Sequence, residues 1–262
     1  MVPVFTLLGF VGCASVAEVA PQPAGAPVTA DMNGDGLADL SDAVFLREYL
    51  FNHGPKPVCD VAADPLTDGL VEMGDEMVIL SYAIDGTSVL SPLYTGACDH
   101  ADAAEVPATT RVAFGLSGPS SAAQTEIFDV AVTVTSPEKA VQAWTLSVHA
   151  DGCTVQSVTT DGTDAALVDK GGQRPRHSYA MAELSSAGAV SAVMFDWNAP
   201  TALAARADPW TLLTMRVELV DPSCTISLVG GEQGPTGPKL RNAVTLDGWT
   251  FVPADVELKI NG

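Results

Sequence analysis

Apolar and polar residues alternate with a period of two along much of the chain after residue 109. The alternation is clearest in residues 128–134, 144–148, 213–219 and 256–260, and about nine to ten such runs are separated by Gly, Pro, Asp and Ser. A period of two with polar partners predicts strands that have one face in a core and the other in water. Many short strands with almost no helix predict a β-sandwich or jelly roll over residues 109–262.

The first third of the chain has a helical pattern instead. Residues 41–51 place their apolar side chains on one stripe, and the His-Gly-Pro sequence at 53–55 stops the run. A second apolar stripe occupies residues 75–84 and ends at the Asp-Gly pair that follows. The predicted fold class is therefore mostly β, with a small α-helical domain in front of the sandwich.

The loop before the first helix, residues 31–42, has the spacing of a twelve-residue calcium loop. Acidic or amide side chains occupy loop positions 1, 3, 5, 9 and 12, and Gly36 at position 6 allows a sharp turn because it has no Cβ. Position 7 offers only its backbone carbonyl, so an apolar side chain is tolerated there. The predicted ligands for Ca²⁺ in this first loop are Asp31, Asn33, Asp35, the carbonyl of Leu37, Asp39 and Asp42.

The loop and its helix recur 33 residues later in the chain. The second loop, residues 64–75, keeps acidic side chains at positions 1, 5 and 12, but Leu66 replaces the ligand at position 3 and Pro65 stiffens position 2. Binding of a second Ca²⁺ is therefore left open, with water in place of the missing side chain as one alternative. The predicted ligands of this second loop are Asp64, Asp68, the carbonyl of Leu70 and Asp75.

A loop of the form D-x-N-x-D-G-x5-D followed by one helix, with a second copy close behind, resembles a dockerin domain. The resemblance covers residues 31–98. Within this range, the segment FLREYLFNHGPKPVCDVAAD is similar to the repeats of secreted planctomycete-type bacterial proteins. It implies that partner-binding side chains lie at the loop end and the first helical turn. The matching positions are Leu40, Ser41, Met73 and Gly74, which are not the Ser-Thr or Ala-Leu types that cohesins of cellulosomes bind.

The strand-rich part resembles a cohesin-like sandwich. Residues 141–148 are similar to the second or third strand of such sandwiches, which accompany dockerin-like repeats in planctomycete-type proteins. Residues 99–108 are interpreted as the linker between the two domains. The resemblance implies contact with another protein domain, in cis or in trans, and a cohesin-like sandwich is one candidate for that domain.

The charge of the chain is strongly negative. The net charge is −20, and residues 31–102 contain 14 Asp and Glu against 2 basic residues. Self-repulsion of this size opposes compaction unless a cation neutralises it. Nucleic acid is excluded as a partner because there is no basic patch to bind phosphates.

Residues 1–20 form an apolar run of the length of a signal peptide, too short to span a bilayer as a mature helix, and residues 21–30 form a flexible lead. A bacterial protein that is secreted or held at the cell surface is therefore expected. Cys13 lies in a degenerate lipoprotein cleavage box, and its lipidation is left open. The four remaining cysteines favour disulfides. The preferred pairs, each inside one domain, are Cys59–Cys98 and Cys153–Cys224.

Catalysis is not expected. None of the four histidines has a metal-ligand spacing. Glu183 with Asp196 makes a poor glycosidase pair, because both follow alanine-rich strand-like runs and no pocket aromatics converge on them. Trp144 alternates in phase with the core, whereas Trp197 is the best candidate for an exposed sugar-stacking side chain. The sequence thus predicts an exported, calcium-binding module for protein assembly or adhesion, with a carbohydrate-binding module of a polysaccharide-processing system as the alternative.

Overall fold

The structure is a computed structural model and describes residues 11–13, 17–19, 28–67, 69–85, 90, 109–167, 177–195, 202–232 and 239–262. Two antiparallel β-sheets enclose an apolar core, and a pair of short helices lies against the second sheet. The predicted fold class, mostly β with a small helical part in front of a sandwich, is confirmed.

The first sheet has the strand order β1-β3-β4-β9-β6, and β2 also pairs with β3. In β4 the valines at 130, 132 and 134 are buried while their neighbours are half-buried, which confirms the predicted alternation. Strand β9 begins before the predicted run at 213 because its pairing with β4 continues through two register shifts to Arg206. The strands are β1 (Val11–Cys13), β2 (Ala17–Val19), β3 (Thr110–Ser117), β4 (Ile127–Ser136), β6 (Cys153–Thr159) and β9 (Arg206–Leu219).

The second sheet is organised around β5. Strand β8 pairs with β5 over residues 143–149, whereas β11 and β10 pair with opposite ends of β5, at 143–145 and 149–151. Strand β7 extends the sheet beyond β8, β12 beyond β11 and β13 beyond β10. The strands are β5 (Ala143–Asp151), β7 (His177–Leu184), β8 (Gly188–Phe195), β10 (Ser223–Leu228), β11 (Ala243–Leu246), β12 (Trp249–Phe251) and β13 (Val256–Asn261).

The core and one disulfide hold the two sheets together. Trp144 is buried, as predicted, and its ring meets the edge of Phe195 with centroids 5.4 Å apart. The predicted bond between Cys153 on β6 and Cys224 on β10 is present and joins the two sheets. Cys59 is also disulfide-bonded, and its predicted partner at position 98 lies outside the described residues.

The helical part consists of the two loop–helix units that the sequence predicts. Helix α1 spans Leu40–Asn52, and α2 spans Met73–Leu80 and continues as a π-helical turn over Ser81–Asp85. Arg47 on α1 forms a buried ion pair with Glu76 on α2. A third short helix, α3 (Asp164–Leu167), belongs to the sandwich and packs on β9. Helix α1 packs on β5, β11 and β12, so the two parts of the chain are in contact.

The N-terminal residues that the structure describes lie at the edge of the first sheet. Strand β1 pairs with the second half of β3, and β2 pairs with its first half. The signal peptide over residues 1–20 remains a prediction, and the linker at 99–108 lies outside the described residues. Within the described part of the chain, no helix has the length and apolar character needed to cross a membrane.

Candidate metal centre

The first loop turns sharply at two glycines. Gly34 and Gly36 have φ angles of 78° and 83°, in the left-handed region that glycine adopts without a Cβ clash. A Cβ at Gly34 would also lie 2.9 Å from the side chain of Val58. The sequence predicted only the turn at Gly36, because the close approach of residue 58 to position 34 is a tertiary contact.

Asp31, at the first loop position, is buried and accepts three backbone N–H groups. Its Oδ1 accepts from Gly34 N at 2.7 Å and Asp35 N at 3.1 Å, and its Oδ2 accepts from Gly36 N at 3.0 Å. Burial raises the pKa of Asp31 above its ordinary value, and these N–H donors act in the opposite direction. A protonated carboxyl accepts poorly at its O–H oxygen, so a pattern that uses both oxygens favours the charged form.

Asp42, at loop position 12, is completely buried and joins the two ends of the loop. Its Oδ1 accepts from Met32 N at 2.7 Å, and its Oδ2 accepts from Asp39 N at 2.7 Å. The second bond is half of a capping box, whose other half is the bond that the Asp39 side chain accepts from the backbone N of Asp42. Asp39 starts α1 and also accepts from Ser41 N at 2.8 Å. Burial, followed by the repulsion of Asp39, raises the pKa of Asp42 well above its ordinary value.

Asp35, at loop position 5, has one carboxylate oxygen without a partner. Its Oδ1 accepts from Leu37 N at 3.0 Å, whereas its Oδ2 is buried and has no hydrogen-bond donor. The residue is only 4 % exposed. Burial, and after it the charges of Asp39 and Asp31, raises the pKa of Asp35 to about 7. A buried oxygen of this kind is costly unless a cation or a donor contacts it.

The donor set of the first loop fits a calcium ion better than a softer metal. Carboxylate, amide and carbonyl oxygens are hard ligands of the kind that Ca²⁺ prefers. In the part of the chain that the structure describes, no three His, Cys, Asp or Glu side chains are arranged to hold a metal by themselves. A cation in this loop would therefore draw also on the side-chain oxygen of Asn33 and the carbonyl of Leu37.

The second loop repeats the backbone pattern of the first. Asp64 Oδ2 accepts from Gly69 N at 2.7 Å, as Asp31 accepts from Gly36. Asp75 is buried, and its Oδ1 accepts from the amide of Leu66 at 3.2 Å. The Leu66 side chain is 44 % exposed and offers no oxygen, and the predicted ligand at position 68 lies outside the described residues. The second loop therefore has the same scaffold with a poorer donor set.

The start of α1 is bound to the sandwich by a chain of polar contacts that the sequence did not predict. Thr250 Oγ1 on β12 lies 2.6 Å from Ser41 Oγ, which donates to Asp39 Oδ1 at 2.7 Å. Arg241 Nη2 forms an ion pair with Asp39 Oδ2. Thr250 Oγ1 also lies 3.2 Å from Asp39 Oδ1, so groups of the sandwich reach both Asp39 oxygens, and this predicted ligand is shared between the loop and the sandwich.

The turn between β11 and β12 provides the second part of this contact. Gly248 N donates to Gln142 Oε1 at 2.8 Å, and Gly248 O accepts from Asn33 Nδ2 at 3.4 Å. Phe45 on α1 meets Trp249 edge-on, with ring centroids 6.4 Å apart and planes at 82°. Gly248 has a φ of 76°, in the left-handed region that favours glycine, and a Cβ there would lie 3.3 Å from the Phe45 ring.

The predicted partner-binding positions differ in exposure between the two repeats. In the first repeat Leu40 and Ser41 are buried beneath the sandwich, whereas Met73 in the second repeat is 51 % exposed. A cleft of about 500 Å³ remains between the helices and the sheet. Its wall includes Leu37, Leu40, Tyr82, Lys239, Leu240 and Arg241.

The alternative sites predicted from the sequence are only partly described. Glu183 lies on β7, whereas Asp196 and Trp197 lie outside the described residues. The sugar-stacking platform therefore gains no support from the described residues. His149 contacts Glu232, with Nδ1 and Oε1 2.9 Å apart, and Ser185 Oγ donates to the other Glu232 oxygen at 2.8 Å. This link between β5 and two distant loops had no signal in the sequence.

Comparison with known proteins finds no matching family model and no matching curated protein. Cohesin modules are among the solved structures that match. One, from a family 33 glycoside hydrolase of Clostridium perfringens, is 10 % identical with a TM-score of 0.39, and the match covers 58 % of this chain and 98 % of that module. The sixth cohesin of Acetivibrio cellulolyticus scaffoldin B, in complex with a Cel5 dockerin, is 10 % identical with a TM-score of 0.40, covering 58 % and 97 %. The third ScaB cohesin of R. flavefaciens is 18 % identical with a TM-score of 0.37, covering 59 % and 96 %. Because all three TM-scores lie below 0.5, no functional argument rests on these likenesses.

Proposed function

We propose that the chain is a non-catalytic interaction module whose first loop binds Ca²⁺. The observation that carries this proposal is the buried Oδ2 of Asp35, which has no partner, between two further buried carboxylates at Asp31 and Asp42. A bound Ca²⁺ would supply the positive charge that keeps these groups ionised in a buried loop. Asp42 then holds the start of α1 through the bond that its Oδ2 accepts from Asp39 N.

The two loops are expected to bind Ca²⁺ unequally. The first loop offers every predicted oxygen, whereas the second lacks a ligand at position 66. Extracellular modules with loops of this type bind calcium at about 10⁻⁴–10⁻³ M. At a constant millimolar calcium concentration such a site stabilises the fold instead of sensing the ion. The disulfide between Cys153 and Cys224 is consistent with an exported protein that works under these conditions.

We further propose that the partner is a β-sandwich domain. Leu40 and Ser41 in the first repeat already pack on a sandwich sheet, namely that of their own chain. Met73 and Gly74 occupy the same positions in the second repeat, and Met73 is exposed together with Met77. This second helix start is the surface left for a sandwich in trans, and a second copy of the chain is the partner to test.

Calcium titration tests the proposed function. Isothermal titration of chelator-treated protein should give at least one site, and Asp31→Ala should abolish it. Asp255→Ala is the matched control, because it removes an exposed carboxylate before β13, far from the loop in sequence. The absence of any calcium binding by the unmodified chain would refute the proposal.

Sedimentation velocity tests the partner. Association of the chain should rise with protein concentration and should be abolished by chelator and by Met73→Glu. A monomer at every concentration in millimolar calcium would rule out a second copy as the partner.

A further inference from the structure

Asn33 belongs to the predicted calcium loop and also to the contact with the sandwich. It occupies loop position 3, where its side-chain oxygen is a predicted ligand. The same side chain is only 1 % exposed and reaches Gly248 on the turn between β11 and β12. One amide group therefore connects two parts of the chain that are 215 residues apart.

The orientation of the Asn33 amide follows from its neighbours. The backbone N–H of Asp35 can only donate, and it lies 3.0 Å from Oδ1. The amide nitrogen therefore points the other way, where it donates to Ser41 Oγ at 3.0 Å and to Gly248 O at 3.4 Å. One acceptor, Ser41 Oγ, lies at the start of α1, and the other, Gly248 O, lies in the sandwich. Docking therefore holds the amide group so that Oδ1 points into the loop.

The acceptor at Gly248 is itself fixed. Its N–H donates to Gln142 Oε1, a residue of the sandwich, at 2.8 Å. The carbonyl is therefore held by the sandwich itself, independently of Asn33. A ligand side chain that is already oriented loses less freedom when a cation binds.

We propose that Asn33 couples calcium binding in the first loop to docking of the loop–helix units on the chain's own sandwich. The inference rests on the proposed function, since it requires Ca²⁺ in this loop. A cation at Oδ1 withdraws charge from the amide and makes Nδ2 a better donor to Gly248 O. Coupling of this kind is reciprocal, so docking also raises the calcium affinity of the loop.

The coupling explains why position 3 carries an amide and not a carboxylate. In Asn33→Asp the loop keeps an oxygen ligand and gains a charge, so calcium still binds. The new carboxylate, however, cannot donate to Ser41 Oγ or Gly248 O, and it would face the carbonyl oxygen directly. We expect the docking equilibrium constant to fall about tenfold or more, as for a lost hydrogen bond that leaves a buried acceptor unpaired.

Hydroxyl-radical footprinting of the full chain measures docking through the oxidation of Trp249. This side chain is buried in the docked chain, where its ring meets Phe45 of α1. In 5 mM calcium, about five times the weakest expected dissociation constant of about 10⁻³ M, the oxidation of Trp249 should be low in the unmodified chain. It should rise in chelator, and it should rise in Asn33→Asp even with calcium bound. Titration calorimetry on the same samples reports calcium binding independently.

Leu66→Asp is the matched control. It places a new carboxylate at position 3 of the second loop, on a side chain that is exposed, and it should leave Trp249 protected. If Asn33→Asp binds calcium and Trp249 stays as protected as in the unmodified chain, the coupling is refuted while the proposed function stands. Unchanged Trp249 oxidation on adding chelator, or loss of calcium binding in Asn33→Asp, would also refute it. If the unmodified chain binds no calcium, the proposed function itself fails.

Discussion

Replacing Asp35 by asparagine tests whether the buried charge of Asp35 destabilises the folded protein. The substitution removes the carboxylate whose Oδ2 is buried without a donor and keeps an oxygen to accept from Leu37 N. In chelator, the variant should be more stable than the unmodified chain, because a buried charge is lost. This is an unusual direction, since most substitutions of buried residues destabilise a protein.

The magnitude follows from the raised pKa of Asp35. A folded-state pKa of about 7 against an ordinary value of 3.8 corresponds to a cost on the order of 4 kcal/mol above pH 7. The new amide leaves a buried N–H group without a certain acceptor, which costs about 1–3 kcal/mol. The net stabilisation expected in chelator is therefore about 1–3 kcal/mol.

Calcium should reduce the stability difference between Asp35→Asn and the unmodified chain. With an affinity of about 10⁻⁴–10⁻³ M, 10 mM calcium adds about 1.4–2.7 kcal/mol to the unmodified chain. Asp35→Asn loses a charged ligand and should gain much less. The gap in stability between the two proteins should therefore narrow or change sign when calcium replaces chelator.

Urea unfolding at pH 7.5, followed by circular dichroism, measures the free energy of unfolding of both proteins, in chelator and in calcium. Asp255→Asn, at an exposed position, is the control and should follow the unmodified chain in both buffers. If Asp35→Asn is less stable than the unmodified chain in chelator, the buried carboxylate is not a source of instability. The electrostatic argument for calcium would then be wrong.

Four further predictions concern the loops and the disulfides. In chelator, thermal stability should fall as the pH rises from 4.5 to 7.5, because the raised pKa of Asp35 means that the folded state keeps its proton below pH 7 and loses it above; calcium should flatten this profile. Leu66→Asp should raise the stoichiometry of calcium in calorimetry, and an unchanged stoichiometry would contradict the assignment of position 3 in the second loop. Removing the Cys153–Cys224 bond, which closes 71 residues, should cost about 4 kcal/mol in urea unfolding. Mass mapping without reductant should also find Cys59 linked to Cys98, and a link to Cys153 would contradict the proposed domain boundary.

Features that depend on near neighbours in the chain could be read from the sequence. The alternation around Trp144 predicted its burial, since side chains in a strand point to opposite faces in turn. The glycine at 36 predicted a left-handed turn, and its φ is 83°. The capping of α1 is also local, since Asp39 is the N-cap residue and Asp42 completes the capping box.

Features that depend on which surfaces meet could not be read in this way. The two strands that share one side of β5 lie far from β5 in the sequence, and no periodicity states that β11 and β10 divide that side between them. The early start of β9 arises from its pairing with β4, not from its own pattern.

The sequence alone determined that the chain has two acidic loop–helix units and a strand-rich domain, because loop spacing and side-chain period are local properties. Only the tertiary structure decided that the first unit lies against the second sheet, with Asn33 beside Gly248 and Asp39 beside Arg241. The physical reason is that a hydrogen bond between residues about 200 positions apart depends on how two finished surfaces fit. Neither segment carries that information by itself.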